Sequence, residues 1–163
     1  MKKTLILITL LASMMAHGQT IANLKIGQTK TSVESTYGMP DEKETSEWVY
    51  HFGKHLSIYV KFKNNTVARI SASGDEDKQG IFKSRLGIVL GDTDSKLVKA
   101  YGSGKLSVAC AVMFTRTFSN IMFTCYGRPG AATVVGIDVF PPSKPVIKKT
   151  VAKKPPVKKT SKK

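Results

Sequence analysis

The sequence is poor in the residues that build catalytic, metal or redox centres. Its 163 residues include two Cys, three His and one Trp, and 26 Lys and Arg outnumber 11 Asp and Glu. No apolar run approaches the roughly 18 residues that a membrane-spanning helix needs. With 41% hydrophobic residues the chain is also too apolar to be wholly disordered. These limits argue against a helical membrane protein and leave room for one modest core or two small ones.

Reactive side chains form no recognisable motif. His51 and His55 flank a turn, and neither a Cys nor a cluster of carboxylates is spaced to complete a metal site with them. No Ser, Thr or Cys lies in a motif that would activate it as a nucleophile. We therefore expect a protein that is not an enzyme and that uses no cofactor or metal.

The N-terminus has the pattern of a secretory signal peptide. Two Lys precede an apolar stretch over residues 4–15, and Ala16-His17-Gly18 places small residues at positions −3 and −1 of a cut before Gln19. A buried N-terminal helix is the alternative. We expect cleavage near Gly18 and a mature chain that is periplasmic or secreted.

Basic charge is concentrated at the other end of the chain. Residues 141–163 hold nine Lys, five Pro and no acidic residue, which is typical of a disordered, polyproline-like segment. Each Lys near an anionic surface contributes about 1 kcal/mol of binding free energy. No aromatic residue or Arg accompanies these Lys residues, so sequence-specific nucleic-acid recognition is not expected. The residues expected to bind an anionic surface are Lys148, Lys149, Lys153, Lys154, Lys158, Lys159, Lys162 and Lys163.

An internal repeat organises the middle of the chain. Residues 27–38 superpose without gaps on residues 91–102, with four identities. In both copies a Thr stands where it can cap a helix start, and the final Gly suits the left-handed position after a helix end. Each copy therefore predicts a helix of two to three turns. Alternating apolar residues then predict three strands after each helix.

The predicted fold class is α+β, with two tandem repeats, each a short helix packed on a three-stranded antiparallel meander. The expected organisation is a signal peptide at 1–18, a first repeat at 19–73, a linker at 74–86, a second repeat at 87–140 and the disordered tail at 141–163.

The second repeat predicts a disulfide. Alternation over residues 108–114 indicates one strand, which would place Cys110 opposite Cys125 on the core face. Directly opposed residues in antiparallel strands have Cα atoms about 4.5–5.5 Å apart, which a disulfide accepts. Export would provide an oxidising compartment. Two reduced cysteines packed as small hydrophobic residues are the alternative.

A motif of the first repeat resembles the unit of the outer-membrane assembly lipoproteins of the BamE/SmpA type: Leu24-x-Ile26-Gly27-x-Thr29-x3-Val33-x3-Tyr37-Gly38-x-Pro40, then Trp48-x-Tyr50. The tandem arrangement looks like the beta-lactamase-inhibitor-protein (BLIP-like) fold, which is built from two such units. The lipidation Cys of the assembly lipoproteins is missing here. The resemblance implies a non-catalytic role in which sheet and loops bind another protein.

One face of the predicted sheets should look away from the helices and carry the binding site. Its candidates are Tyr59, Lys61, Arg69, Met113, Met122 and Tyr126, and the same alternation places Ala111 and Val134 there. Met and Tyr are enriched in interface cores. If the two sheets pack on each other, these side chains are buried instead.

We therefore expect an exported, non-catalytic protein-binding module, either inhibitor-like or an accessory factor in envelope assembly, whose basic tail tethers it to an anionic envelope surface. Its protein partner is not identified by the sequence. The alternative is a protein that binds an anionic polymer, namely lipopolysaccharide, membrane or nucleic acid, through the Lys-rich tail.

Overall fold

A computed structural model describes residues 20–78 and 80–142. The expected signal peptide, the cut before Gln19 and the eight tail lysines lie outside this part. The elements within it are β1 (Thr20–Ile21), β2 (Leu24–Lys25), α1 (Lys30–Tyr37), β3 (Glu42–Lys43), β4 (Glu47–Phe52), β5 (Leu56–Lys63), β6 (Thr66–Gly74), α2 (Asp94–Tyr101), β7 (Lys105–Cys110), β8 (Met113–Thr117), β9 (Ile121–Tyr126) and β10 (Thr133–Val139).

Both predicted helices form, with the predicted caps. The Thr29 hydroxyl accepts a hydrogen bond from the Ser32 N–H at 3.3 Å, and Gly38 adopts φ 80° while its N–H donates to the Glu34 carbonyl. The second helix repeats this arrangement with Thr93 at its start and Gly102, at φ 82°, at its end. Each helix has 8 residues, which is too short for stability in isolation, so tertiary packing must hold it.

Eight strands form one antiparallel sheet in the order β3-β4-β5-β6-β10-β9-β8-β7, and β1 and β2 pair separately. Pairing of β6 with β10, from Gly136↔Ser73 to Val139↔Ile70, joins the two halves edge to edge. The α+β class is confirmed, with a mostly antiparallel sheet and, in the part of the chain described, two helices.

The core lies on one face of this sheet. Trp48, Val60, Ile70, Val139 and Ile121 are successive cross-strand neighbours, and all are buried. The same cluster includes the helix residues Val33 and Leu97 and the loop residues Phe82, Ile88 and Leu90. Helices and inter-repeat loop therefore cover a single face.

The second half differs from the prediction, because residues 108–114 form a hairpin and not one strand. The chain turns at Ala111-Val112, so that Cys110 pairs with Met113 while Cys125 pairs with Phe114 on the next strand. Since β8 separates β7 from β9, the two Cys lie two inter-strand steps apart, roughly 9–10 Å. A disulfide accepts Cα separations of about 4.4–6.8 Å. The predicted disulfide is therefore wrong: both cysteines are free, Cys110 exposed and Cys125 buried.

Three register shifts interrupt the ladders of the sheet. Asn64 and Asn65, at φ 50° and 62°, form the turn between β5 and β6, and a shift between Lys61 and Phe62 follows. A shift between Val108 and Cys110 turns Cys110 to the face opposite to Val108. The shift in β10 turns Val134 into the core, where it is fully buried, and corrects its predicted place on the opposite face.

Candidate protein-binding surface

The sheet face that looks away from the helices, here called the open face, carries side chains from every long strand. One row across it consists of Val49, Tyr59, Ser71, Asp138, Met122, Thr117 and Lys105. A parallel row consists of His51, Ser57, Ser73, Gly136, Thr124, Thr115 and Ser107. The alternative in which two sheets bury this face against each other does not occur, because β6 and β10 pair edge to edge.

All six residues predicted for the binding site lie on the open face. Tyr59 and Met122 share the first row, Lys61 pairs with Arg69, and Met113 pairs with Tyr126. Tyr59 and Met122 are half-buried, while 57% of the Lys61 side chain and 44% of the Arg69 side chain are exposed. Their role in binding stays a prediction, but the fold presents them together on one surface.

A fixed polar group occupies the centre of the open face. The Asp138 carboxylate accepts hydrogen bonds from Arg69 Nε at 2.9 Å and Nη2 at 2.7 Å, and from the Ser71 hydroxyl. Only 12% of the Asp138 side chain is exposed, so these three donors replace most of its hydration. Because Arg69 and Asp138 belong to β6 and β10, the group also ties the two halves of the sheet together.

The half of the open face that belongs to β3, β4, β5 and β6 is polar. His51 Nδ1 lies 2.9 Å from the Ser57 hydroxyl, and its Nε2 lies 3.2 Å from Glu42 Oε1. Lys61 Nζ lies 2.9 Å from Glu47 Oε2. The Ser57-His51-Glu42 chain lies on the sheet surface, outside the two clefts described below, and exposed pairs such as His51 with Glu42 contribute little to stability.

The second half of the open face ends in apolar side chains. Tyr126 is 56% exposed and Met113 is 36% exposed, and they are cross-strand neighbours. Val112 at the adjacent hairpin turn is also exposed. This end can therefore lose apolar area to a partner while the polar half supplies orientation.

A buried ion pair holds the second half of the sheet to its helix. Arg116 donates from Nε to Asp94 Oδ1 at 2.5 Å and from Nη2 to Oδ2 at 2.9 Å. The hydrogen bond from Arg116 holds the pKa of Asp94 below its usual value. Beside this pair, burial raises the pKa of the Cys125 thiol to about 12, which keeps it protonated and unreactive.

Two clefts lie near the inter-repeat loop. One, of about 470 Å³, is lined by Arg85, Leu86, Tyr101, Gly104, Thr117, Phe118, Ser119 and Asn120. The other, of about 390 Å³, is lined by Phe52, Gly53, Leu56, Glu76, Lys78 and Ile81. Within residues 20–78 and 80–142, no three His, Cys, Asp or Glu side chains converge to hold a metal ion, and no helix is long and apolar enough to cross a membrane.

Asp138 and Ser71 were not among the predicted site residues. Asp138 is the one acid in the apolar run from Val134 to Val139, and a charge at such a place needs a partner. Such a signal favours a paired carboxylate, but it cannot name Arg69, which lies 69 residues earlier in the chain.

No protein-family model matches the sequence, and no curated protein matches it. Similar solved structures include a DUF4309 family protein from Bacillus subtilis, with 17% identity and a TM-score of 0.46 over 72% of this chain and 82% of that one. An extracellular protein containing a SCP domain from Bacillus anthracis has 12% identity and a TM-score of 0.50 over 71% of this chain and 43% of that one. A cysteine-rich secretory protein from Staphylococcus aureus has 10% identity and a TM-score of 0.46 over 71% of this chain and 44% of that one.

The chain thus spans less than half the length of the last two proteins. At 12% identity, the likeness to the Bacillus anthracis protein concerns the fold alone. None of the three is described as a BamE/SmpA-type or BLIP-like protein, so that resemblance stays a prediction.

Proposed function

We propose that this chain is an exported, non-catalytic protein-binding module that contacts its partner through the open face. The observation that carries the proposal is that, in the described part of the chain, helices cover one face of the eight-stranded sheet and all six predicted binding residues lie on the other. A partner that docks here would be recognised by a polar half and an apolar half of one surface.

The open face has the dimensions of a protein interface. Seven long strands at a spacing of about 4.8 Å span about 29 Å, and six residues of strand span about 20 Å. The resulting area of roughly 600 Å² is of the same order as the roughly 800 Å² that each partner buries in a standard interface.

Its composition also suits recognition. Tyr59, Tyr126, Met113 and Met122 belong to residue types enriched at interfaces, as does Arg69. The Arg69 guanidinium is already oriented by Asp138, so less conformational entropy is lost when a partner binds it.

The two halves of the fold support a tandem origin. The helices start 64 residues apart with the same caps, and their capping residues make equivalent isolated bridges, Thr29↔Thr66 and Thr93↔Thr133. In this proposal, as in the BLIP-like resemblance, two related units jointly present one sheet face. The Lys-rich tail tethers the module to an anionic envelope surface.

Site-specific photo-crosslinking in the exported fraction tests the proposal. A photo-reactive residue at Met122 or Tyr59 on the open face should give a discrete adduct with a protein. The same residue at Ser35, which is exposed on α1 on the covered side of the sheet, should not. Equal adducts from all three positions, or none from the open face, would contradict this assignment.

Removal of residues 143–163 separates tethering from recognition. If the open face recognises the partner, the adduct at Met122 should persist without the tail, while recovery with anionic membranes should fall. Loss of both would favour the alternative, in which an anionic polymer is bound through the tail.

A further inference from the structure

The two edges of the eight-stranded sheet are built very differently. The edge strand β3 has two residues, Glu42 and Lys43, and both are charged and exposed. Short, charged edge strands prevent pairing with other chains. The opposite edge, β7, has 6 residues, all exposed, with Lys105 as its only charge. Within the described part of the chain, β7 has β8 as its only strand neighbour, so half of its backbone hydrogen-bonding groups face outward without a strand partner.

Exposed apolar side chains collect at the same edge. In the described residues, seven large hydrophobic side chains are exposed, and five of them lie on or beside the β7–β8 hairpin: Leu106, Val108, Val112, Met113 and Tyr126. Leu106 and Val108 pair with Arg116 and Phe114, which places them on the helix side of the sheet beyond the cover of α2. Met113 and Tyr126 lie on the open face, so the apolar side chains that belong to the edge itself are the neighbours Leu106 and Val108. Adjacent exposed apolar side chains favour an interaction site, whereas single exposed residues do not.

We propose that β7 pairs antiparallel with β7 of a second copy of this chain, so that two eight-stranded sheets join across a two-fold axis. The proposal concerns the sheet edge and is independent of partner binding at the open face. A two-fold interface uses the same surface on both copies, so the strand must be complementary to itself.

The sequence of β7 meets that requirement. In a symmetric antiparallel pair the central residue faces its own copy, and the two registers that use most of the strand centre on Ser107 or Val108. In the first, Leu106 faces Val108 of the second copy, both on the helix side, and Lys105 faces Ala109. In the second, Val108 faces its own copy, while the register shift after Val108 turns Cys110 to the open face, away from Leu106. Apolar side chains therefore meet through Val108 in both registers, and the two Lys105 charges lie at opposite ends.

The interface is small, which sets the expected affinity. Pairing of six-residue strands buries less than the roughly 1,200 Å² of total area typical of stable complexes, so the dimer belongs with weak, transient interfaces. We expect a dissociation constant on the order of 10–100 μM, hence monomers in dilute solution and dimers in concentrated solution.

Sedimentation equilibrium of the purified exported chain measures this association. The weight-average mass should rise from about one chain towards two between about 5 and 500 μM, as a dissociation constant in that range requires. Val108→Lys should abolish the rise, because the introduced charge would face Leu106 of the second copy or, on the two-fold axis, the same charge of the second copy. Met39→Lys is the matched control, since Met39 is an exposed apolar residue (69%) near the other end of the sheet. A constant mass at all concentrations, or equal effects of the two variants, overturns the proposal.

Disulfide trapping gives a second readout and identifies the register. In a Cys110→Ser background, Ser107→Cys or Val108→Cys should form a covalent dimer under mild oxidation, whichever residue lies on the two-fold axis. Glu42→Cys, on the short, charged edge strand β3, should form no covalent dimer. Formation of the covalent dimer to the same extent by all three variants, or by none of them, overturns the proposal.

Discussion

Replacing Arg116 with Met should destabilise the fold far more than the loss of an exposed ion pair would. Asp94 is fully buried, and Arg116 gives it two of its hydrogen bonds, while the Gly130 N–H gives it a third at 2.7 Å. Without Arg116, a buried carboxylate keeps one backbone donor. Such an uncompensated charge costs about 3–5 kcal/mol of unfolding free energy.

The matched control is Lys96→Met. Lys96 also pairs with an Asp, at 2.7 Å, but its side chain is 57% exposed. Its loss should cost about 1 kcal/mol or less, because the Lys96 ammonium is screened by solvent although the Asp92 side chain is only 14% exposed. Urea unfolding at pH 7 measures both values, and an Arg116→Met cost no larger than that of the control would refute the reasoning.

The dependence on pH follows from the direction of the pKa shift. Since Arg116 lowers the pKa of Asp94 in the folded protein, the pair stabilises fully above the unfolded pKa of about 3.9, and this contribution is lost as the pH falls through the lower folded value. The difference between wild type and Arg116→Met should therefore narrow below about pH 4. A difference that is constant from pH 7 to pH 3 would show that Asp94 is not the group responsible.

Three further predictions concern the surface, the helices and the cysteines. Tyr126→Ala should weaken partner binding by about 2 kcal/mol, measured by calorimetry, with little change in melting temperature, because its side chain is exposed; unchanged binding would remove it from the interface. Tyr37→Ala and Tyr101→Ala should each lower the free energy of unfolding in urea by about 3 kcal/mol, because each ring packs against two aromatic rings of its half. Near-neutral effects would show that the helices dock differently. A thiol reagent should label Cys110 in the native protein and Cys125 only after unfolding; native labelling of both would contradict the buried position of Cys125.

Local signals in the sequence were sufficient to predict where both helices begin and end. Thr29 and Gly38, with their counterparts Thr93 and Gly102, act on backbone groups within four residues, so their pattern predicts the helix ends directly. Alternation likewise predicts which face β4, β5 and β9 bury, because the side-chain period of a strand is two. The six open-face candidates follow from that alternation alone.

The remaining errors come from features that have no local signal. The hairpin turn at Ala111-Val112 contains no Gly, Pro or Asn. Because the apolar alternation continues across this turn, residues 108–114 were predicted as one strand, and Cys110 was assigned to the wrong strand. The register shift in β10 moves Val134 by one position, which reverses its face. Pairing of β6 with β10 depends on contacts between residues 63 to 69 positions apart, and propensity and periodicity contain no information about it.

The position of β10 has a mechanical consequence. Residues 143–163 follow closely in the chain after Val139, the end of a strand hydrogen-bonded to β6 on one side and β9 on the other. A pull on that segment runs along β10 and loads both ladders in shear, since their hydrogen bonds lie perpendicular to the strand. Many bonds then resist together, whereas a strand at the sheet edge would peel away one bond at a time. An anchored tail would thus transmit force into a strand that is hydrogen-bonded on both sides, and the open face would keep its shape under load.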